Sequence, residues 1–274
     1  MSNSIPSERA RNEARRALIR SVALPAEKGS YSLVSEPIVL GLVAAPSWAG
    51  LALAVAAVGM FLFNRPLKVV LADRRRGRSY ERTTLAWRFL LVYATVIAAG
   101  IVVAFALGGW RPFVPLAVAA PLLGLFAVYD QRPGRSWQAE LAAPVAFAAI
   151  VAAIAVADGW AWTPALALWG FMVARAVPAV LFIRARLRLD KGRSAAPGEG
   201  APAVIVSHVL ALLAVAALVW AAWLPWTAVL AAAILLARAV WGLSPWRGHF
   251  SAVALGFLET GFGLLAVLLV ALAY

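Results

Sequence analysis

The sequence predicts an all-α integral membrane bundle, and three observations carry that reading. Of 274 residues, 64% are hydrophobic and 14% charged, where soluble domains run near half and a quarter. Apolar runs suited to a hydrocarbon core of ~30 Å recur along the whole chain after residue 30. Most of the Lys and Arg residues fall between those runs. Backbone groups in lipid must bond within their own element, so the runs are helices. No stretch is left for a separate soluble domain.

In chain order, residues 1–29 form a polar, Arg-rich tail. It lacks the apolar core and small-residue cleavage site of a secretory signal. Ala10, Ala14, Ala17, Leu18 and Val22 recur at helical spacing among Arg11, Arg15, Arg16 and Arg20. The segment reads either as an interfacial helix on an anionic leaflet or as a solvated basic tail that sets orientation. Residues 30–274 form one transmembrane domain. Nine spans are expected, at 30–46, 47–63, 85–108, 112–129, 140–157, 161–183, 203–222, 225–241 and 251–273. The first two are short and share the turn Pro46-Ser47-Trp48.

Charge placement sets the orientation. With the N-terminus cytoplasmic, 23 of the 25 Lys and Arg residues lie on the inner side, Arg111 lies outside and Arg175 within a span. The tail and the stretch after residue 63 are both basic, so an even number of crossings separates them and 31–63 is a hairpin. The outer connections are short and aromatic, as in Asp158-Gly159-Trp160-Ala161-Trp162. This is the composition of an interfacial belt. Basic cytoplasmic loops are expected at 64–84 and 184–202. Leu62-Phe63-Asn64-Arg65 echoes Leu181-Phe182-Ile183-Arg184 at the helix end before each loop, the mark of a duplicated plan.

A net charge of +13 in such positions is a topology signal and does not call for a nucleic-acid partner. With no cysteine and two histidines, His208 and His249, the chain has no thiolate chemistry and little material for a metal centre. No cofactor is expected.

The informative residues are ionisable groups at depth, because each costs a few kcal/mol near the bilayer centre unless paired or wetted. Glu259 lies ~12 Å and Arg175 ~13 Å from the inner surface at 1.5 Å per residue. Glu36 and His208 each lie ~9 Å in, and Arg238 lies about a turn from its helix end. Five spans thus contribute to one layer in the cytoplasmic half. One reading is a network that holds the bundle in register. The other is a water-filled cavity open to the cytoplasm. Glu259 and Arg175 share a depth and are expected on facing helices, with Arg238 as the substitute partner. Pro178, three residues after Arg175, can kink its helix or free a carbonyl.

Leu24-Pro25-Ala26-Glu27-Lys28-Gly29-Ser30-Tyr31 resembles the Pro-x-Glu-His-Gly-x-Trp opening of the YwiC-like membrane proteins. Arg65-Pro66, the helix from Ala174-Arg175 to Ile183-Arg184, and Leu255-Gly256-Phe257-Leu258-Glu259 resemble other features of that family. Lys28 stands where the family usually has His.

The layout also resembles the UbiA superfamily of intramembrane prenyltransferases, which have nine helices and a cytoplasmic N-terminus. Those enzymes hold Mg²⁺ and a diphosphate with Asn-Asp-x-x-Asp-x-x-x-Asp and Asp-x-x-x-Asp motifs in two cytoplasmic connections. With Asn64 at the Asn position, the Asp positions become Arg65, Lys68 and Ala72. The second region offers Arg175, Arg184 and Arg186 and no acid before Asp190. Cations there repel Mg²⁺ but suit direct binding of phosphate or carboxylate.

The resemblance implies a nine-helix UbiA-like bundle in a bacterial cytoplasmic membrane, without Mg²⁺-dependent prenyl transfer and without a metal. The leading expectation is a cytoplasm-facing intramembrane pocket for an amphiphile with an anionic head, a membrane lipid or isoprenoid phosphate. Asn64, Arg65, Lys68, Arg175, Arg184, Arg186, His208, Arg238 and Glu259 are its candidate binding residues. An enzyme would use Glu36 or Glu259 as general base. A secondary transporter would use Glu259 and His208 as a proton relay. A structural subunit of a membrane complex needs no ligand.

Overall fold

The computed structural model describes residues 8–25, 30–130, 137–192 and 200–274. Their regular structure is helical throughout. The helices are α1 (Glu8–Ala23), α2 (Ser30–Ala44), α3 (Trp48–Arg75), α4 (Glu81–Gly108) and α5 (Phe113–Asp130). They continue with α6 (Trp137–Ala157), α7 (Trp162–Asp190), α8 (Ala201–Trp220), α9 (Thr227–Leu243) and α10 (Ala252–Ala271). Each apolar run of the sequence corresponds to one helix from α2 to α10. Five of them, α3, α4, α7, α8 and α10, are long and apolar enough to cross a membrane. The others carry shorter apolar stretches, such as Leu141–Ala157 in α6. The chain is accordingly read as a membrane protein.

The basic stretches depart from expectation. Residues 64–75 and 184–190 are not loops: α3 and α7 run on through them as helix. Arg and Lys are good helix formers, so leaving the apolar zone gives the backbone no reason to break. What ends α3 is Gly77, at φ +63. The Gly77 amide donates to the Arg74 carbonyl and Arg78 to Asp73, which together form a Schellman cap. Gly192, at φ +62, follows the end of α7 in the same way. The rest of the loop expected at 184–202 lies largely outside the described residues.

The core is centred on α6. Its residues from Ala148 to Val156 are all buried, and it packs on α2, α3, α5 and α7. A helix apolar all round belongs inside a bundle. In lipid, helices gain little by burying apolar area, so small residues that let backbones approach matter most. Gly41 of α2 and Gly50 of α3 both lie against Ile154 of α6. A Cβ at Gly41 would sit 3.0 Å from the Ile154 Cβ.

Contacts then run from α2 to α6, α7, α8, α9 and α10 and back to α2, while α3 and α4 pair alongside. The tail helix α1 docks on α3 and α4, with Val22 and Leu18 against Phe63, Leu67 and Phe89. Arg65 Nε donates to the Ser21 carbonyl (2.9 Å), and the Tyr93 hydroxyl donates to the Ala23 carbonyl (3.1 Å). The end of α1 is therefore fastened to the bundle.

Candidate functional site

Four of the ionisable groups that the sequence places at depth meet in one chain of contacts. Helical spacing makes this possible. On α7, Arg175, Phe182 and Arg186 fall at i, i+7 and i+11, which is one face. On α10, Leu255, Glu259 and Gly263 recur every four residues, again on one face.

Arg175 Nη2 donates to Glu36 Oε1 of α2 at 2.8 Å and reaches the Glu259 main-chain carbonyl at 3.3 Å. Glu259 Oε1 is 3.8 Å from the same nitrogen. Arg238 of α9 is the closer partner of Glu259. Its Nη2 donates to Oε1 at 3.1 Å, and Nη1 lies 2.9 Å from Oε2. The guanidinium of Arg238 also lies over the Phe182 ring, 4.1 Å from its centre, with the Phe262 ring at 5.9 Å. Such a cation–π contact strengthens when it is desolvated.

The expected meeting of Arg175 and Glu259 therefore exists, with the partners rearranged. Glu36 takes the direct bond to Arg175, and Arg238 takes the direct bond to Glu259. All four residues are buried. Two cations face two carboxylates, so the quartet is neutral when all four are charged. Pairing of this kind is what makes buried charge tolerable in lipid. Gly263 was not foreseen as part of the site. A Cβ there would collide with Arg175 Nη2 and Glu36 Oε1, so the ion pair runs directly against the bare backbone of α10. The signal was present in the sequence: a glycine four residues after Glu259.

Two openings flank the quartet. One lies between α7, α8 and α9, lined by Arg175, His208, Phe171 and Leu235, with room for about one water molecule. His208 Nδ1 is 2.9 Å from the Val204 carbonyl, which places the proton on Nδ1 and leaves Nε2 an acceptor. Arg175 Nε is buried without a hydrogen-bond partner among the described residues.

The other opening is a cleft between α7, α9 and α10. Arg238 and Glu259 form its floor, Phe182 and Phe262 its walls, and Trp241 and Leu258 stand at its mouth. Trp241 is 51% and Leu258 41% exposed. Arg238 Nε is buried with no hydrogen-bond partner among the described residues.

Arg186 lines the same cleft but is fully engaged. Its Nε donates to both Asp190 oxygens, at 3.1 and 2.9 Å, and Nη1 donates to the Gly242 carbonyl at 2.6 Å. Nη2 donates to the Gly248 carbonyl. Arg186 thereby ties the end of α7 to α9 and to the α9–α10 loop. Arg247 of that loop approaches Asp190 at 3.6 Å.

The remaining candidates sit elsewhere. Asn64 and Arg65 are half-buried and Lys68 exposed on the polar end of α3, where Arg65 is spent on α1. Arg184 is half-buried on α7. Near the end of α3, Asp73 is fully buried and accepts from Arg82 Nε (3.1 Å) and the Thr83 hydroxyl (2.7 Å) of α4. This contact fastens α4 to α3.

No curated protein and no solved structure matches the chain. Residues 24–155, which hold Glu36, Asn64, Arg65 and Lys68 but neither Arg175 nor Glu259, match the family model described as YwiC-like protein.

Proposed function

We propose that this protein binds an amphiphile with an anionic head, a lipid or isoprenoid phosphate, in the cleft between α7, α9 and α10. The observation that carries the reading is Arg238: a buried guanidinium that lines an aromatic cleft, lies over the Phe182 ring, and has no hydrogen-bond partner for Nε among the described residues. Arg suits phosphate and carboxylate because its planar fork offers several donors at once. The cleft is narrow, so only the head enters. The chain of the ligand stays in lipid beside Trp241 and Leu258, which flank the mouth.

The bundle is proposed to cross a bacterial cytoplasmic membrane nine times, as in the UbiA layout, with the Arg-rich helix ends on the cytoplasmic side. The nine apolar helices among the described residues and the distribution of charge support this. Mg²⁺-dependent prenyl transfer is not part of the proposal. Mg²⁺ needs open oxygen ligands, and the acids closest to the relevant helix ends are held by arginine, Asp73 by Arg82 and Asp190 by Arg186.

Binding of decyl phosphate and of decyl maltoside to the detergent-purified protein tests the reading by native mass spectrometry. The phosphate should be retained and the neutral glycoside not, and Leu258→Trp, which fills the mouth, should abolish retention. Equal retention of both amphiphiles would overturn the proposal.

A further inference from the structure

The charge balance of the quartet limits how an anion can be taken up. We infer that the cleft takes up its anionic head together with one proton, which is carried by Glu259. This rests on the binding reading above and adds the coupling to it.

Glu36, Arg175, Glu259 and Arg238 sum to zero charge. An anion placed on Arg238 would leave the buried site one charge negative, in surroundings where an uncompensated charge is costly. A proton on one of the two carboxylates restores neutrality. Geometry selects which. The Glu36 side chain is 1% exposed and bonded to Arg175, away from the cleft. The Glu259 side chain is 11% exposed and lines the cleft itself.

Glu259 is also the group that occupies Arg238. Both of its oxygens face the two terminal nitrogens of Arg238. Protonation turns that carboxylate into a neutral acid, leaves the Arg238 charge for the incoming head, and gives Glu259 a hydroxyl that can donate to the same anion. The balance is simple: a proton passes from the aqueous side to the Glu259 carboxylate, the anion enters beside Arg238, and the site remains neutral.

The other charged groups around Glu259 are accounted for. From α7 come Arg175, whose direct bond is to Glu36, and Arg186, which is committed to Asp190 and two carbonyls. From α2 comes Glu36 itself. On α8, His208 lies beyond Arg175 in the other opening. With Glu36 it is a competing proton acceptor among the described residues, and the test must separate both from Glu259: proton uptake that persists in Glu259→Gln would move the proton to Glu36 or His208 and overturn the coupling.

The test is titration calorimetry with decyl sulfonate, whose own charge does not change near neutral pH, in buffers of different ionisation enthalpy. The wild-type protein should take up about one proton per sulfonate bound, and affinity should fall as pH rises, by up to about tenfold per unit. Glu259→Gln, neutral and similar in shape, should bind sulfonate without proton uptake and without pH dependence. His208→Gln should retain the uptake.

Sulfonate binding to the wild type with no proton uptake would overturn the coupling and leave the binding reading standing. Loss of uptake in His208→Gln would also overturn it, by moving the proton to His208. Failure of sulfonate to bind either the wild type or Glu259→Gln would overturn the binding reading itself.

Discussion

Arg175 passes its guanidinium directly over the backbone of α10 at Gly263, where any side chain would occupy the same space. The Glu36–Arg175 bond thus depends on a missing methyl group on a third helix. Gly263→Ala should force the pair apart and leave two buried charges poorly compensated, at a cost of about 3–5 kcal/mol. Thermal unfolding in detergent measures this. Gly256→Ala and Gly261→Ala, which meet nothing within 4 Å, serve as controls on the same helix and should change little.

The pairing within the quartet gives a second expectation. Glu259 has its direct bonds with Arg238, and Glu36 has its own with Arg175. Double-mutant cycles should therefore show strong coupling, about 2–3 kcal/mol, for Glu36–Arg175 and for Arg238–Glu259. Coupling should be weaker for Arg175–Glu259, whose side chains stand 3.8 Å apart. Glu259→Gln should cost less than Glu259→Ala, because it keeps a hydrogen-bond acceptor for Arg238. Equal coupling for all three pairs would mean that the quartet behaves as one undivided cluster.

That these four groups lie near one another was legible in the sequence, and which of them touch was not. The rise per residue places Glu36, Arg175, Arg238 and Glu259 in one layer because depth depends only on position along a helix. Which residues touch depends on how each helix is rotated and which helices are neighbours, and neither follows from a span boundary. The helical rise puts Glu36 shallower than Arg175, yet the long arginine side chain covers the difference. The basic stretches at 64–84 and 184–202 were expected as loops because hydropathy reports where a helix leaves lipid. It does not report where the helix ends. Gly77 and Gly192 were the better markers, since each supplies the positive φ that terminates its helix. Arg186 is a candidate binding residue from its charge and its place after the sixth span alone. Its partners, two of them backbone carbonyls, could not be seen in any pattern of side chains.

Orientation supplies a third expectation, drawn from 23 of 25 cationic residues on one proposed side. Reporter fusions at residues 78, 193 and 247 should read cytoplasmic, and fusions at 110, 160 and 274 external. A cytoplasmic reading at 274 would mean that one of the helices with a shorter apolar stretch, α2, α5, α6 or α9, does not cross.

Arg186 offers the most direct test of how the cleft is kept in shape. Its nitrogens address Asp190, the Gly242 carbonyl and the Gly248 carbonyl in different directions. Lysine has the charge but not the planar fork, so it cannot reach all three at once. Arg186→Lys should leave at least one buried carbonyl unpaired, at a cost of about 1–3 kcal/mol. The loss should fall on the α9–α10 loop, because Gly248 has its tie to α7 through this side chain. Hydrogen exchange across residues 243–252 should accelerate by about tenfold or more while α6 is unaffected, since 1.4 kcal/mol of local opening corresponds to a factor of ten. Lys191→Ala, an exposed change one residue past α7, is the control and should leave the loop unaltered. If Arg186→Lys instead lowers global stability with no local change in exchange, Arg186 supports the whole bundle, and the loop is held by Arg247 and Asp190.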